Sequence, residues 1–312
     1  MNIKSYLLIQ EAIKRWYDVD VVSEEFSLFY LFIKGKKILF KNADCGLWSS
    51  LSHKLCKSKA VTNYFLDYNK ITIPQYNCFT KADIIDMDKI SFPVVVKPHD
   101  RSCNKGVTIW IENKESLSKA IDIAYNYSDK IIVQKYVEWD LFRVFIINGK
   151  IAAVTMLCPP SVFWDGVSSI KELIDKENTA IYRGWKMLDQ AYPIVIESEL
   201  LTHIQSMDYS LESVLDKNIE LVLRKNPQLS LGGITKNITP LLHPALEQDC
   251  VKAASILWLP WAGIDIISKN IESGEYSIIE VNSQPDFKMH HYPVVGNSIN
   301  IASLLLDYII NI

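Results

Sequence analysis

The chain has 312 residues, of which 49% are hydrophobic and 22% charged, so it can bury a large core in two or three compact subdomains. Its formal net charge of −3 argues against a nucleic-acid-binding surface, which normally carries an excess of Lys and Arg. No apolar run approaches the ~18–20 residues of a membrane helix, and the N-terminus lacks the pattern of a signal peptide. We therefore expect a cytoplasmic protein without nucleic-acid or membrane partners.

The six cysteines are scattered along the chain, and no close pair has the spacing of a zinc site. Such cysteines stay reduced in a reducing compartment. We expect free thiols at Cys45, Cys56, Cys78, Cys103, Cys158 and Cys250.

Residues 1–55 predict a small N-terminal α/β domain. A helix is expected over 5–16, followed by two apolar runs at 26–33 and 38–40. The segment 34–37 reads Lys-Gly-Lys-Lys, which is typical of a turn. This part of the chain therefore predicts a helix followed by a β-hairpin.

The chain from residue 56 to 312 predicts a second domain that begins with a helix over 59–69. That helix carries an apolar stripe, and Pro74 marks the following segment as extended chain.

Two α+β lobes are predicted within this second domain. Residues 90–150 alternate strands with one helix at 114–127 and form the small lobe. Residues 151–312 alternate strands and helices again, with a polar, aromatic insert at 159–192, and form the large lobe.

Two apolar segments near the C-terminus, 262–267 and 278–282, predict neighbouring strands that carry oxygen ligands. In an extended strand Glu280 and Asn282 point to the same face, with Val281 turned into the core. Together with Asp265 they form a hard-oxygen set of the kind that binds Mg²⁺ beside nucleotide phosphates. The alternative is a pair of ordinary core strands with polar ends.

This arrangement resembles the ATP-grasp carboxylate–amine ligases, which bind Mg²⁺ through an Asp and a Glu-x-Asn pair on neighbouring strands. Further segments resemble the family's lysine-bearing strand, its phosphate-covering loop and its adenine hinge, at 92–98, 100–107 and 131–137. The resemblance implies an α+β ATP-grasp fold, in which two α+β lobes close on ATP beside the small N-terminal domain.

Within that family the chain resembles the branch containing cyanophycin synthetase and the bifunctional glutathione synthetases. The match runs in order from about residue 58 to 301, which no single short motif could imitate. Its motifs lie at 142–150, 165–167, 170–174, 223–226, 229–233 and 289–291, with Pro293 and Gly296. The second ATP-using domain and the γ-glutamylcysteine-forming domain of those proteins are not recognisable, so we expect a single-reaction ligase.

The resemblance implies a reaction in which a substrate carboxylate takes the γ-phosphoryl group of ATP. An amine then attacks the acyl phosphate, giving an amide, ADP and phosphate. The implied cofactors are ATP and one or two Mg²⁺ ions, with Mn²⁺ as a substitute, and the implied substrates are small amino acids or peptides. A homodimer is among the expected assemblies.

The nucleotide-binding residues follow from the same resemblance. Lys59 and Lys97 should contact ATP phosphates, although each could instead be a solvated lysine. The covering loop keeps only Gly106, with Lys105 as its cation, whereas Arg101 and Asn104 stand where relatives often have glycine. The hinge and ribose positions are implied at Gln134, Lys135, Tyr136, Val137 and Asp140.

Arg143 and Arg224 each lie in an apolar strand, where a buried guanidinium requires an anionic partner. That partner is either a substrate carboxylate or phosphoryl group, which would make both residues catalytic, or a structural acid. Gly233 would allow the backbone to approach the acyl phosphate closely. The implied substrate residues are Asn226, Ser230, His243 and His290, although a turn serine and structural histidines are equally consistent with the sequence.

Two alternative functions remain open at this point. One is a kinase-like ATP-grasp phosphotransferase that forms no amide. The other is a non-catalytic ATP-binding partner protein, which the altered covering loop and hinge would allow.

Overall fold

The computed structural model describes residues 1–101, 105–214 and 216–312. The chain begins with a helix and a three-stranded antiparallel sheet in the order β1-β2-β3, so the predicted helix and hairpin are confirmed and one further strand is added. These elements are α1 (Ile3–Lys14), β1 (Asp18–Ser23), β2 (Leu28–Ile33) and β3 (Lys36–Lys41).

Two short helices follow, α2 (Ser50–Lys57) and α3 (Lys59–Tyr68). Ser58 is the N-cap of α3, and its hydroxyl accepts a hydrogen bond from the Val61 amide. This hydroxyl also shares a hydrogen bond of 3.0 Å with His99 Nδ1, while the Lys59 amide donates to the His99 carbonyl. Lys59 is therefore fixed at the first position of the helix.

The small lobe is a four-stranded antiparallel sheet in the order β4-β7-β5-β6, with α4 packed on one face. Alternate residues of β5 and β7, such as Val94, Val96, Ile131 and Val133, are buried against this helix. The elements are β4 (Tyr76–Thr80), β5 (Val94–Pro98), β6 (Thr108–Ile111), α4 (Lys114–Tyr125) and β7 (Lys130–Lys135).

The large lobe contains an antiparallel sheet in the order β12-β9-β8-β13-β14, together with an insert that has its own core of Trp164, Ile170, Leu200 and Leu223. A capping box of Ser169 and Glu172 starts the first insert helix. The elements up to the end of the insert are β8 (Asp140–Ile147), β9 (Lys150–Cys158), β10 (Ser161–Phe163), α5 (Ile170–Asn178), α6 (Ser198–Gln205) and β11 (Glu220–Val222). The remaining elements are β12 (Ile234–Asn237), α7 (Pro244–Ile256), β13 (Trp261–Asn270), β14 (Glu275–Asn282), α8 (Lys288–His291) and α9 (Ile301–Ile310).

One face of the large sheet is an apolar core against α7, built from residues such as Val144, Ile264 and Ile278. The opposite face carries Arg143 and Asp265, because successive strand residues point to opposite sides. The functional candidates of the sheet therefore face away from α7.

The structure divides the chain differently from the predicted ranges. The small sheet includes β4, which precedes residue 90, whereas β8 lies within 90–150 and pairs with the large sheet. The N-terminal segment shares one apolar cluster with β8, β9 and α9, in which Leu8, Phe29 and Phe40 pack with Phe145 and Leu305.

In the described residues, Cys45, Cys56, Cys78, Cys158 and Cys250 are all free thiols, and Cys103 and Asn104 lie outside those residues. The same residues include no helix long and apolar enough to cross a membrane.

Candidate nucleotide and metal site

A cavity of about 520 Å³ lies between the small sheet and the large sheet. Val95, Ile109 and Gln134 line it from the small lobe, and Leu141 and Ile267 line it from the large sheet. Nine of the predicted site residues reach this cavity. They are Lys59, Lys97, Gln134, Lys135, Tyr136, Val137, Asp140, Asn226 and Glu280.

A row of polar residues crosses the large sheet beside the cavity. Register pairing places Asn237 of β12 opposite Thr155, Thr155 opposite Arg143, Arg143 opposite Asp265, and Asp265 opposite Glu280. The sheet therefore brings together residues up to 137 positions apart in sequence, counting from Arg143 to Glu280.

Asp265 is held by the neighbouring strand and by its own hairpin. Arg143 donates to both oxygens of Asp265 through Nε and Nη2, and Asn282 Nδ2 donates to Asp265 Oδ2 over 3.4 Å. Burial raises the pKa of Asp265, and the Arg143 guanidinium opposes this shift. The three predicted metal ligands thus lie together on β13 and β14, and Arg143 belongs to the same cluster.

Two lysines approach Glu280 from the other side of the cleft. Lys59 Nζ lies 3.1 Å from Glu280 Oε1 and also donates to the Arg101 carbonyl over 2.7 Å. Burial lowers the pKa of Lys97 to about 8, and the Glu280 carboxylate limits the size of this shift. Cationic and anionic side chains therefore lie together at this end of the cavity.

The other end of the cavity is formed by the C-terminal end of β7 and the segment that follows it. Gln134 is buried, and its Nε2 has no hydrogen-bond partner in the described part of the chain. Lys135 Nζ donates to the carbonyls of Ser91 and Phe92, so this ammonium holds the preceding loop. Burial raises the pKa of Asp140, and Lys236 opposes the shift.

Arg224 does not reach the cavity. It is fully buried in the insert, where Nη2 donates to the Val195 carbonyl and Nη1 lies 3.2 Å from Glu197 Oε1. Glu197 caps the start of α6, so this pair ties the segment after β11 to that helix. Among the described residues, Arg224 Nε and Nη1 have no hydrogen-bond partner, although Nη1 lies near Glu197. Arg224 does not line the cavity, so its catalytic role stays a prediction.

The two predicted glycines are required by close packing. A Cβ on Gly233 would lie 2.9–3.2 Å from the carbonyl oxygens of Pro227, Cys158 and Gln228. The Gly233 amide donates to the Gln228 carbonyl, so in this structure it is not available to an acyl phosphate. Gly106 has a φ of +72°, and a Cβ there would lie 2.6 Å from the Tyr127 ring. Neither Gly106 nor Lys105 lines the cavity.

The predicted substrate residues are dispersed. Asn226 lines the cavity, whereas Ser230 is exposed and accepts a hydrogen bond from Gln228 Nε2. His243 caps α7 by accepting from the Ala245 amide, and its position does not support a substrate role.

His290 is buried beside the polar row. Its Nδ1 shares a hydrogen bond of 2.7 Å with Thr155, and its Nε2 has no partner among the described residues. Burial, together with the nearby charge of Arg143, lowers the pKa of His290 to about 3, so the ring is neutral. It lies behind the row and does not line the cavity.

Several cavity residues were not predicted as site residues. Lys225 lines the cavity, and its Nζ lies 3.3 Å from the centroid of the Trp110 ring. This contact joins the insert to β6 across the cleft. Lys225 stands within the 223–226 motif, but no local pattern indicates its contact with Trp110. Lys269 and Trp139 also line the cavity.

The donor set fits a hard divalent cation, because Asp265, Glu280 and Asn282 offer carboxylate and amide oxygens. Among the described residues no group of three or more His, Cys, Asp or Glu is placed to hold a metal. The set has two carboxylates only, which is consistent with a cation that takes its other ligands from phosphate and water.

Comparisons with known proteins agree with this geometry. A family profile described as the D-ala D-ala ligase C-terminus matches residues 65–205. Cyanophycin synthetase from Synechocystis sp. is 36% identical over 266 residues, which are 82% of this chain and 30% of the relative. A glutathione biosynthesis bifunctional protein from Listeria welshimeri is 27% identical over 322 residues, which cover 99% of this chain and 41% of the relative.

Solved structures show the same fold. A bifunctional glutathione synthetase from Pasteurella multocida superposes with a TM-score of 0.74 at 22% identity, covering 98% of this chain and 43% of that one. A D-alanine–D-alanine ligase from Bacillus anthracis superposes with a TM-score of 0.50 at 20% identity, covering 84% of this chain and 68% of that one. The chain spans less than half the length of the cyanophycin and glutathione relatives. It is related in sequence to the ATP-grasp carboxylate–amine ligases and has their fold.

Proposed function

We propose that this chain is an ATP-dependent ligase that joins an amino-acid or peptide carboxylate to an amine through an acyl phosphate, releasing ADP and phosphate. The observation that carries the proposal is the meeting of Lys59 and Lys97 with Glu280 at one end of the cavity, with Asp265 and Asn282 beside it. Cations and oxygen ligands in this arrangement suit a triphosphate.

In this proposal ATP lies in the cavity with its base against the segment after β7. Val95 and Ile109 of one lobe and Leu141 and Ile267 of the other provide apolar walls for a flat ring. Gln134 Nε2, which is buried and has no partner among the described residues, would complete the hydrogen bonding of the base.

At the phosphate end, the ammonium groups of Lys59 and Lys97 would neutralise the transferred phosphoryl group and fix its direction. Asp265, Glu280 and Asn282 would hold one or two Mg²⁺ ions, with Mn²⁺ as a substitute, and the metal supplies charge neutralisation when bound. Arg143 uses Nε and Nη2 on Asp265, which leaves Nη1 to donate to the substrate carboxylate or the acyl phosphate.

The substrates proposed are small amino acids or peptides, by relation to proteins named for cyanophycin and glutathione synthesis. Asn226, which lines the cavity beside the insert, is proposed to contact them. A cytoplasmic location and a homodimeric assembly also stay predictions from the sequence.

The test is a screen of amino acids and dipeptides with ATP and Mg²⁺, in which ADP release and product masses are both followed. The proposal expects ADP and phosphate only when an acid and an amine are both present, together with a condensed product. AMP and pyrophosphate as products would exclude the acyl-phosphate route.

The same screen separates the two alternatives. A phosphotransferase would release ADP with one substrate alone and yield a stable phosphorylated product. A non-catalytic partner protein would bind nucleotide, and no mixture would stimulate hydrolysis.

A further inference from the structure

The outer face of the N-terminal sheet is an exposed surface that the nucleotide site does not use. The inner face of β2 and β3 is buried, with Phe29, Leu31 and Phe40 all at 1% exposure or less. On the outer face Phe32 is 37% exposed and Leu39 48% exposed. Contiguous exposed apolar side chains on a protein surface are typical of interaction sites.

Charge is segregated across this face in two columns. Pairing in the sheet forms the rows Asp18–Phe32–Lys37 and Asp20–Tyr30–Leu39, and Lys41 lies opposite Leu28. The acids are therefore all on β1 and the lysines all on β3, with apolar side chains on β2 between them.

Edge protection alone does not require this segregation, since charges of either sign keep an edge strand from pairing. The two columns are separated by one strand, so they stand about 10 Å apart within the sheet. In the described residues Asp18, Asp20, Lys37 and Lys41 form no ion pair. Lys37 Nζ instead lies 3.9 Å from the centroid of the Tyr30 ring.

This pattern is complementary to itself under one symmetry operation. A two-fold axis parallel to β2 places the outer faces of two copies against each other and brings β1 of one copy opposite β3 of the other. Asp18 then faces Lys37 of the second copy across about 10 Å, the usual separation of packed sheets, over which long side chains meet. A two-fold axis perpendicular to the strands would place acid opposite acid, which is repulsive.

We propose that this face binds a second copy of the chain, forming a two-fold symmetric dimer with Tyr30, Phe32 and Leu39 at its centre. The interface is isologous, as in most symmetric dimers. This inference does not rest on the proposed ligase activity.

The experiment uses two charge-reversed variants, Asp18→Lys/Asp20→Lys and Lys37→Glu/Lys41→Glu. In the first variant both columns are positive, and in the second both are negative, so each repels its own copy. An equal mixture pairs positive columns with negative ones at both edges of the interface. Sedimentation equilibrium over a concentration series measures the mass of each sample against 35.7 kDa for one chain.

The wild-type chain is expected to sediment at twice the monomer mass, and each variant alone is expected to dissociate at least 10-fold more readily. The mixture is expected to recover the dimer, which also shows that both variants are folded. The matched control Glu112→Lys/Asp122→Lys makes the same change in charge on exposed residues of the small lobe and should remain dimeric. A monomeric wild-type chain, dimeric variants, or a mixture that stays monomeric would each overturn the proposal.

Discussion

Single residues at the phosphate end of the cavity illustrate how buried charge is balanced. Arg143 neutralises Asp265, and Lys59 neutralises Glu280. A buried carboxylate without such a partner would be costly. The ion pairs therefore keep the predicted metal ligands in place.

Glu280→Gln tests the importance of this charge. The change keeps the shape of the side chain but removes the carboxylate, so Mg²⁺-dependent turnover should fall by about 100-fold or more, with an unchanged circular dichroism spectrum. Glu275→Gln is the matched control, because Glu275 is exposed on the same strand and should keep full activity. Wild-type turnover in the Glu280 variant would contradict the assignment.

A buried histidine, His290, and a partly buried one, His291, predict a pH dependence of stability. Burial lowers the pKa of His290 to about 3 and that of His291 to about 4, from an ordinary value of 6.5. The unfolded chain therefore binds more protons than the folded chain between these values, and the free energy of unfolding falls as the pH drops below 6.5. Each histidine should contribute up to about 1.4 kcal/mol per pH unit in that range.

Urea unfolding near neutral pH and again about two pH units lower measures this effect. The His290→Gln/His291→Gln variant should lose less stability between the two conditions than the wild type does. The exposed His53→Gln serves as the control and should follow the wild type. Equal pH dependence in the double variant and the wild type would show that these histidines are not the source.

At the scale of elements, strand β13 is the one that organises the site. It pairs with β8 on one side and β14 on the other, so Asp265 acquires Arg143 and Glu280 as neighbours at once. Gly263, two residues earlier on the same face, leaves space that the Arg143 side chain fills, because a Cβ there would lie 3.2 Å from Arg143 Cδ.

Gly263→Ala should therefore disturb the site through the strand. The added methyl group would also lie 2.5 Å from Pro285 Cβ. The backbone must shift to avoid this clash, and that shift should destabilise the fold by about 1–3 kcal/mol. Displacement of Arg143 should reduce turnover by about 10- to 100-fold. Ile264→Val, on the opposite face of the strand, should cost about 0.5–1.5 kcal/mol and leave turnover unchanged. Full activity in the Gly263 variant would show that Arg143 takes no part in the reaction.

At the scale of the whole molecule, the two lobes meet across the cavity through Trp110 and Lys225. The ammonium lies over the indole ring, and the same lysine is 3.9 Å from Glu138 Oε1. Trp110 has a φ of 57°, an uncommon value for a bulky residue. This contact connects the small sheet to the insert at the cavity wall.

Lys225→Met should weaken ATP binding by about 2- to 30-fold, the range expected from loss of one cation–π contact. Trp110→Leu should have a similar effect, and the double variant should be little worse than either single one, because both remove the same contact. Calorimetric titration with ATP measures these affinities, with Lys119→Met on the exposed face of α4 as the control. Additive losses would show that the two residues act separately.

Much of the site followed from local patterns. Alternation along β14 placed Glu280 and Asn282 on one face with Val281 buried, as the sequence predicted. The short apolar strands before Lys97 and around Asp265 were also predictable, because the period of side chains in a strand is a local property. The resemblance to ATP-grasp ligases depended on several such segments in order, and the comparisons confirmed it.

Other features were decided only by tertiary structure. Arg143 and Arg224 look alike in sequence, each a cation in an apolar strand, yet one lies beside Asp265 and the other beside Glu197. Strand order makes this difference, since β8 pairs with β13 across more than 100 residues of intervening chain. Local periodicity sets which way a side chain points, whereas long-range pairing sets what it meets.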